Sequence, residues 1–452
     1  MTLIKNATLL DHDGSVDVRF ERTVIELGNL SPRAGERVVN AGGNLLLPGL
    51  HDHHIHLAAL NAGRHSVDLS EFTNPGLATL ESAIAPFAGN WVRGIGFDES
   101  VWGRLDINDL DSISSGPVRL QHRSGKMWLL NSAALHALQI EPGVHAGVEV
   151  DESGTLTGRL FRMDDWLRQR LGTTSLDLTS TVSELVSHGI TSVTDTSYTN
   201  DEAQAALLRA SAGPMKVRVM GDESVAGGEL KVMLDEDALP DLEALVARIR
   251  RGHEAGRGVA FHCVTRIELL FALEALRVAG GQSQCGDRIE HGGLIGEDAI
   301  ERLLELDLPV ITQPGFIRDR GDRFAAELSP EDLPDLYRFR SLASAGIRVV
   351  ASSDAPYGPD NPWQVVDAAM KRTTASGRVL GEGETVDLRA ALKGYLTPAA
   401  KPGGEIRTVR AGEAADLVML AAGVRELENA PAETRVHTTW IDGNSVYRAV
   451  GN

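Results

Sequence analysis

Cysteine is nearly absent: Cys263 and Cys285 are the two in 452 residues. That is too few for a disulfide framework and suits a reducing compartment, so the expected location is the cytoplasm. No stretch approaches the roughly 20 apolar residues that cross a bilayer. The opening MTLIKNATLLDHDG has no apolar run of the kind a signal peptide needs. Basic residues are in deficit, with 44 Lys plus Arg against 63 Asp plus Glu and a formal net charge of −19. A surface that acidic repels phosphate backbones and anionic lipid, so neither nucleic acid nor membrane is expected as a partner. What remains, 42% hydrophobic and 24% charged, is the balance of an ordinary globular protein rather than a disordered one. The expected partner is a small-molecule substrate, with a homodimer left open.

Several chemistries are also missing. His253-Glu254 has Arg257 where the helical zinc-protease pattern needs a second His. Gly94-Ile-Gly96 has Glu99 in place of the third glycine of a dinucleotide loop. There is no Gly-x-Ser-x-Gly elbow and no Gly-Lys-Ser/Thr phosphate loop. Cys263 follows His262 on a strand-like run, and alternation turns it the other way, as a small core residue.

Residues 1–44 read as short β pieces separated by turns, such as Val16–Val18 and Val24–Leu27. From Leu45 the text changes to short apolar runs separated by helical stretches. The runs are Leu45–Leu50, Thr191–Thr194, Lys216–Met220, Leu230–Leu234, Gly258–Cys263, Arg288–His291, Pro309–Thr312 and Arg348–Ser352. A helix opening at Pro240 places Leu242, Leu245, Val246 and Ile249 on one face. Eight strands with helices between most of them predict an α/β fold, a parallel (β/α)8 TIM-like barrel over 45–400. An open doubly wound sheet is the alternative that strand counting leaves standing. After Thr397-Pro398 the text turns β-like again, with Asp442-Gly443 as a hairpin signal. Residues 1–44 and 401–452 are therefore expected to form a small second β domain built from both termini. The interval 58–187 is too long for a βα connection and carries Trp91, Trp102, Trp128 and Trp166. It reads either as an insertion walling a pocket over the barrel mouth or as a satellite hydrophobic cluster.

The sharpest chemical signal is Pro48-Gly-Leu-His-Asp-His-His-Ile-His56. Strand alternation puts His54 and His56 on one face with Asp52, as two nitrogen ligands for a divalent cation. His51 and His53 take the opposite parity and read as packing residues or partners of ligands. A His-x-His pair on a strand is structural about as often as it binds metal. Taken alone, a strand-end His is more often a hydrogen-bonded core residue. A lone Ser-Asp is usually a helix cap, and a strand Lys usually snorkels. Here His262, His291 and Asp354 end three later runs, and Lys231 lies inside a fourth. Barrel enzymes place their chemistry at those strand ends, and the conjunction is what carries weight.

These motifs resemble the amidohydrolase superfamily, in the branch of N-substituted formamide deformylases. The resembling residues are Leu47–His56, Trp91–Gly96, Pro117–Leu120, Asn131–Leu135, Gly189–Val193, Leu230–Val232, Arg288–His291, Ser353-Asp354 and Gly412–Val418. The match runs nearly end to end, and its first and last motifs bracket the barrel as the family's composite β-sandwich domain would. The resemblance implies that His54, His56 and Asp354 hold a buried ion and that His262 and His291 hold a second. A carbamylated Lys231 would bridge the two. Zinc or a similar ion, one or two per chain, is implied. Burial beside cations lowers a lysine's pKa, and the neutral amine takes up carbon dioxide to give an anion with two oxygens.

The implied reaction is hydrolysis of a non-peptide, amide-like C–N bond of a small molecule by metal-activated hydroxide. Asp354 would act as general base. In a mononuclear site, His291 would face substrate or water. Arg123, Lys126, Trp128, Arg159, Arg266 and Tyr357 are candidates for gripping the substrate. The branch usually carries Asp-Gly-His in the insertion, where this chain has Ser124-Gly-Lys126-Met-Trp128, which puts substrate preference in question. A deaminase, a lactone or carbamate hydrolase, and a non-catalytic scaffold are the alternatives.

Overall fold

The structure is a computed structural model that describes residues 1–449 except 71, 74, 88–90, 172–175 and 282–284; residues 450–452 of the predicted tail lie outside the described residues. It divides into two compact units, one of residues 1–57 with 178–452 and one of residues 58–177. No helix among the described residues is long and apolar enough to cross a membrane.

In the larger unit, eight parallel strands fall in two sheets. Lys216–Val219, Ile190–Asp195 and Leu50–Ile55 form the first. Leu230–Met233, Val259–Cys263, Arg288–His291, Val310–Thr312 and Val349–Ala351 form the second, in chain order. Two isolated parallel bridges, Gly221 to Leu230 and Ile55 to Ala355, join strands of one sheet to the ends of the other. Both faces of these strands are covered; every residue of Leu50–Ile55 and Arg288–His291 is buried. That is why the segments read as continuous runs rather than alternating ones. Helices follow most strands. Arg266–Ala279 starts behind Thr265, whose side chain accepts from Glu268 N while the Glu268 carboxylate returns to Thr265 N. The helix predicted to open at Pro240 runs Leu242–Glu254 instead, because the Asp241 side chain caps it by accepting from Ala244 N.

The run Leu45–Leu50 is two strands, not one. Leu46–Pro48 pairs with Leu417–Leu420, and the first parallel strand begins only at Leu50. Gly49 makes the break, since a Cβ there would sit 2.3 Å from the Thr191 side chain. The tail strands therefore pair with Leu46–Pro48 in a four-stranded sheet. Residues 2–40 form a separate sheet in the order Val24–Gly28, Ser15–Phe20, Thr2–Thr8, Arg37–Asn40. The two sheets share one apolar cluster, including Ile4, Val18, Phe20, Leu417, Met419 and Trp440. Phe20 meets Trp440 edge-on at 5.7 Å. The Asp442-Gly443 signal is a true hairpin turn, with φ of 48° and 75°. These are the two positive φ values a tight two-residue hairpin turn needs.

The 58–177 unit contains a six-stranded sheet that the sequence reading did not anticipate. Its order is Val148–Val150, Leu156–Phe161, Met127–Leu130, Val118–His122, Val92–Phe97 and Val67–Asp68. It has its own apolar clusters, one around Phe97, Trp102 and Leu120 and another around Trp128, Leu135 and Leu160.

Candidate metal centre

Leu50–Ile55 delivers His54 to the carboxyl end of the first parallel strand, and His56 follows at once. Two backbone hydrogen bonds lock this end to the loop after the last strand: Asp354 N donates to His54 O at 2.8 Å and His56 N to Ala355 O at 2.9 Å. Asp354 and His291 both adopt left-handed backbone, with φ of 54° and 71°. Non-glycine residues seldom do so, and such positions cluster at functional sites. At His291 the consequence is direct. Glu290 and His291 are neighbours in sequence, which strand alternation would turn to opposite faces, yet Glu290 reaches His54 and His291 reaches Asp354.

The side chains converge. Nε2 of His56 and Nε2 of His54 lie 3.1 and 3.3 Å from Oδ1 of Asp354, and Nδ1 of His291 lies 3.8 Å from its Oδ2. His54, His291 and Asp354 form a buried group whose ligand atoms lie within 4.8 Å of one another. The His262 ring centroid stands 4.4 Å from that of His291. Despite these short approaches, Asp354 Oδ1 receives no properly aligned hydrogen bond, and Lys231 Nζ donates none. A buried carboxylate oxygen without an aligned donor is costly. Imidazole nitrogens and carboxylate oxygens gathered this closely fit a divalent cation. The donor set therefore fits the metal that the sequence implies.

Electrostatics agree for His262 and His291. Burial, then His262, push His291 well below its ordinary value; burial, then Lys231, push His262 down to about 3. Both rings are thus neutral and able to offer a lone pair. Burial works against the Asp354 anion, but His54, His56 and His291 hold it well below the carboxylate range. Burial alone would depress His54, and Asp354 and Glu290 outweigh it, raising the ring above its usual value. Burial lowers Lys231.

Asp52, expected beside His54, is buried and accepts from His54 N at 3.1 Å and Ser353 N at 3.3 Å. It is not part of the convergent group, and burial pushes it up to about 6. His51 bonds to Ser192 and Thr194, and His53 to Thr397, so both pack as their parity predicts. Tyr357 stands edge-on to His56 at 5.5 Å and is half exposed. Arg266 is ion-paired to Asp335. Within the 58–177 unit, Arg123 pairs with Asp98 at 2.6 Å. Arg159 is buried against Glu99 and the Leu105 carbonyl, and Trp128 Nε1 donates to Asp164 at 2.9 Å. Lys126 is exposed, on a cavity of about 480 Å³ that Arg104, His122 and Arg159 also line.

Sequence reading missed the partners of the histidines. Nδ1 of His54 is bonded to Glu290, Nδ1 of His56 to Ser197 Oγ at 2.9 Å, and Nδ1 of His291 to Gln313 Oε1 at 2.9 Å. The only advance signal was Arg288-Ile-Glu290, opposite charges two apart in an otherwise apolar strand.

The sequence pattern of the amidohydrolase family matches residues 37–447. The chain belongs to that family. It is 25% identical to the N-substituted formamide deformylase of Arthrobacter pascens, over 92% of this chain and 90% of that protein. It is 24% identical to the putative amidohydrolase YtcJ of Bacillus subtilis (strain 168), over 95% and 93% of the two chains. An uncharacterized metal-dependent hydrolase from Pyrococcus furiosus superposes with a TM-score of 0.75 at 22% identity, covering 93% of this chain and 99% of that one. The fold is accordingly TIM-barrel-like α/β, and this amidohydrolase is an enzyme acting on C–N bonds, of a metal-dependent family.

Proposed function

We propose that this amidohydrolase cleaves a non-peptide, amide-like C–N bond of a small molecule, with His54, His56, Lys231, His262, His291 and Asp354 holding one or two divalent cations. The carrying observation is Asp354 Oδ1, which two imidazole nitrogens approach at 3.1 and 3.3 Å without well-aligned hydrogen-bond geometry. Imidazole nitrogen and carboxylate oxygen suit zinc or another borderline ion. Such a cation, when bound, polarises a carbonyl and lowers the pKa of a water from about 15.7 to about 7.

The remaining work falls to the chain's own groups. Asp354, held ionised, accepts a proton at a carboxylate oxygen and returns it to the leaving nitrogen. His262 and His291, kept neutral by burial, present lone pairs. Lys231, buried with no hydrogen-bond partner on Nζ, would carry a carbamate if two cations are held. Lys126 is our candidate for recognising an anionic group on the substrate, and Tyr357, edge-on to His56 at 5.5 Å, is a second candidate contact.

The fold reading rests on the same footing. The bridges at both seams support closure of the eight strands into a barrel, and the shared Phe20–Trp440 core supports a composite sandwich. The test is a screen of N-formyl and N-acyl amines with metal-loaded protein, reading acid and amine release. Turnover of an amide supports the reading. Release of ammonia from amidines or aminated rings alone would make the enzyme a deaminase.

A further inference from the structure

Glu290 takes no part in the reaction just described, yet it is wholly buried and both its oxygens are engaged. Oε1 accepts from Nε of Arg288, itself fully buried, and Oε2 is bonded to Nδ1 of His54. Arg288 also donates from Nη2 to the carbonyl of His53 at 2.7 Å, so the pair grips the same strand that carries His54. Stability alone does not account for this, since a buried ion pair is seldom more stable than well-packed apolar side chains of the same volume.

The three histidine partners are chemically unequal. The Ser197 hydroxyl can donate or accept, so it leaves the His56 tautomer open. Gln313 offers a neutral oxygen to His291, with its amide nitrogen donating to Ile311 O at 3.2 Å. Glu290 offers an anion that only accepts, so Nδ1 of His54 must carry a proton, and in the neutral ring Nε2 keeps the lone pair. That Nε2 is the atom 3.3 Å from Asp354.

We propose that Glu290, itself set by Arg288, is a positioning residue that fixes the ring plane and the Nδ1–H tautomer of His54 and strengthens Nε2 as a metal ligand. The inference rests on the metal-site reading above. Carboxylate partners of this kind orient metal-bound imidazoles and raise their basicity, and their loss typically weakens metal affinity about 10–100-fold. A glutamine at 290 has one acceptor oxygen for two donors. It either leaves Arg288 Nε unpaired or turns its own amide N–H toward His54, which would force the proton to Nε2.

The test is competition for zinc between a chromophoric chelator and wild-type protein or Glu290→Gln, together with the visible spectrum of the cobalt-loaded forms and the melting temperature of the metal-free ones. Glu290→Gln should hold zinc about 10–100-fold more weakly and shift the cobalt bands. Equal affinity and an identical cobalt spectrum would make Glu290 an ordinary ion-pair partner and overturn the inference, while the metal site would stand. Failure of the wild type itself to bind zinc would remove the metal-site reading instead. Should Glu290→Gln fail to fold, zinc-loaded wild type labelled with 15N-histidine decides the question. The His54 signal, assigned by its loss in His54→Gln, must show a proton on Nδ1, and a proton on Nε2 overturns the proposal.

Discussion

Nε2 of His56 stands 3.1 Å from Oδ1 of Asp354, joining the residue just past the first parallel strand to one just past the last. Asp354→Asn keeps the shape and removes the charge. It should cost metal on elemental analysis and lower turnover of any amide found in the screen by at least about 100-fold. Full metal content with turnover within a few-fold of wild type would strip Asp354 of both roles.

Lys231 separates a two-ion site from a one-ion site. Burial depresses this amine, so its neutral form, the one that takes up carbon dioxide, persists closer to neutral pH. Reconstitution of metal-free protein should be faster with added bicarbonate, and Lys231→Ala should lose about one metal equivalent. A short carboxylic acid in solution should restore part of the loss. If Lys231→Ala keeps its metal and turnover, the lysine is a barrel-lining residue and the centre holds one ion.

Lys126 is exposed on a cavity lined by Arg104, His122 and Arg159 together with Glu99 and Glu149. If it reads an anionic group on the substrate, Lys126→Ala should raise KM for carboxylate-bearing amides several-fold more than for neutral ones. A uniform change across both classes, in steady-state kinetics, would leave it a surface lysine.

Far from the metal centre, Arg19 and Glu36 form a buried pair at 2.7 Å. Arg19 holds the Glu36 carboxyl below its ordinary value. A depressed carboxylate contributes stability that is complete above its unfolded pKa, near 4.5, and is lost as pH falls through the lowered folded value. Glu36→Gln should therefore melt earlier than wild type at pH 7, with the gap closing on acidification. Thermal melts from about pH 8 to about pH 3 check this. A gap that stays constant across that range would show that the charge contributes nothing.

Much of the site was legible because its residues sit at strand ends, where chemistry and apolar patterning coincide. His54, His56, His262, His291 and Asp354 stand out against the short buried runs that carry them. Glu290 was not legible as a partner of His54, since parity sets it apart from His291 and only the left-handed turn at His291 brings both inward. Parity likewise misplaced Asp52, which shares a face with His54 but ends on backbone amides. The Leu45–Leu50 run hides two strands although Pro48-Gly49 is a breaker dipeptide, and the interruption falls at Gly49, against Thr191. The tryptophans of the 58–177 unit announced a hydrophobic cluster, but pairing among six short strands is a non-local property that no window of sequence displays.

The pairing of Leu46–Pro48 with Leu417–Leu420 also sets an order of events during synthesis. The early strand leaves the ribosome with its apolar side chains exposed, and its partner follows about 370 residues later. At about 5–20 residues per second that wait lasts on the order of tens of seconds. Throughout it, Leu46 and Leu47 are an unpaired strand edge directly ahead of the histidines. Nascent chains stalled before residue 417 should thus bind chaperones through this segment, and release of residues 417–420 should end that binding.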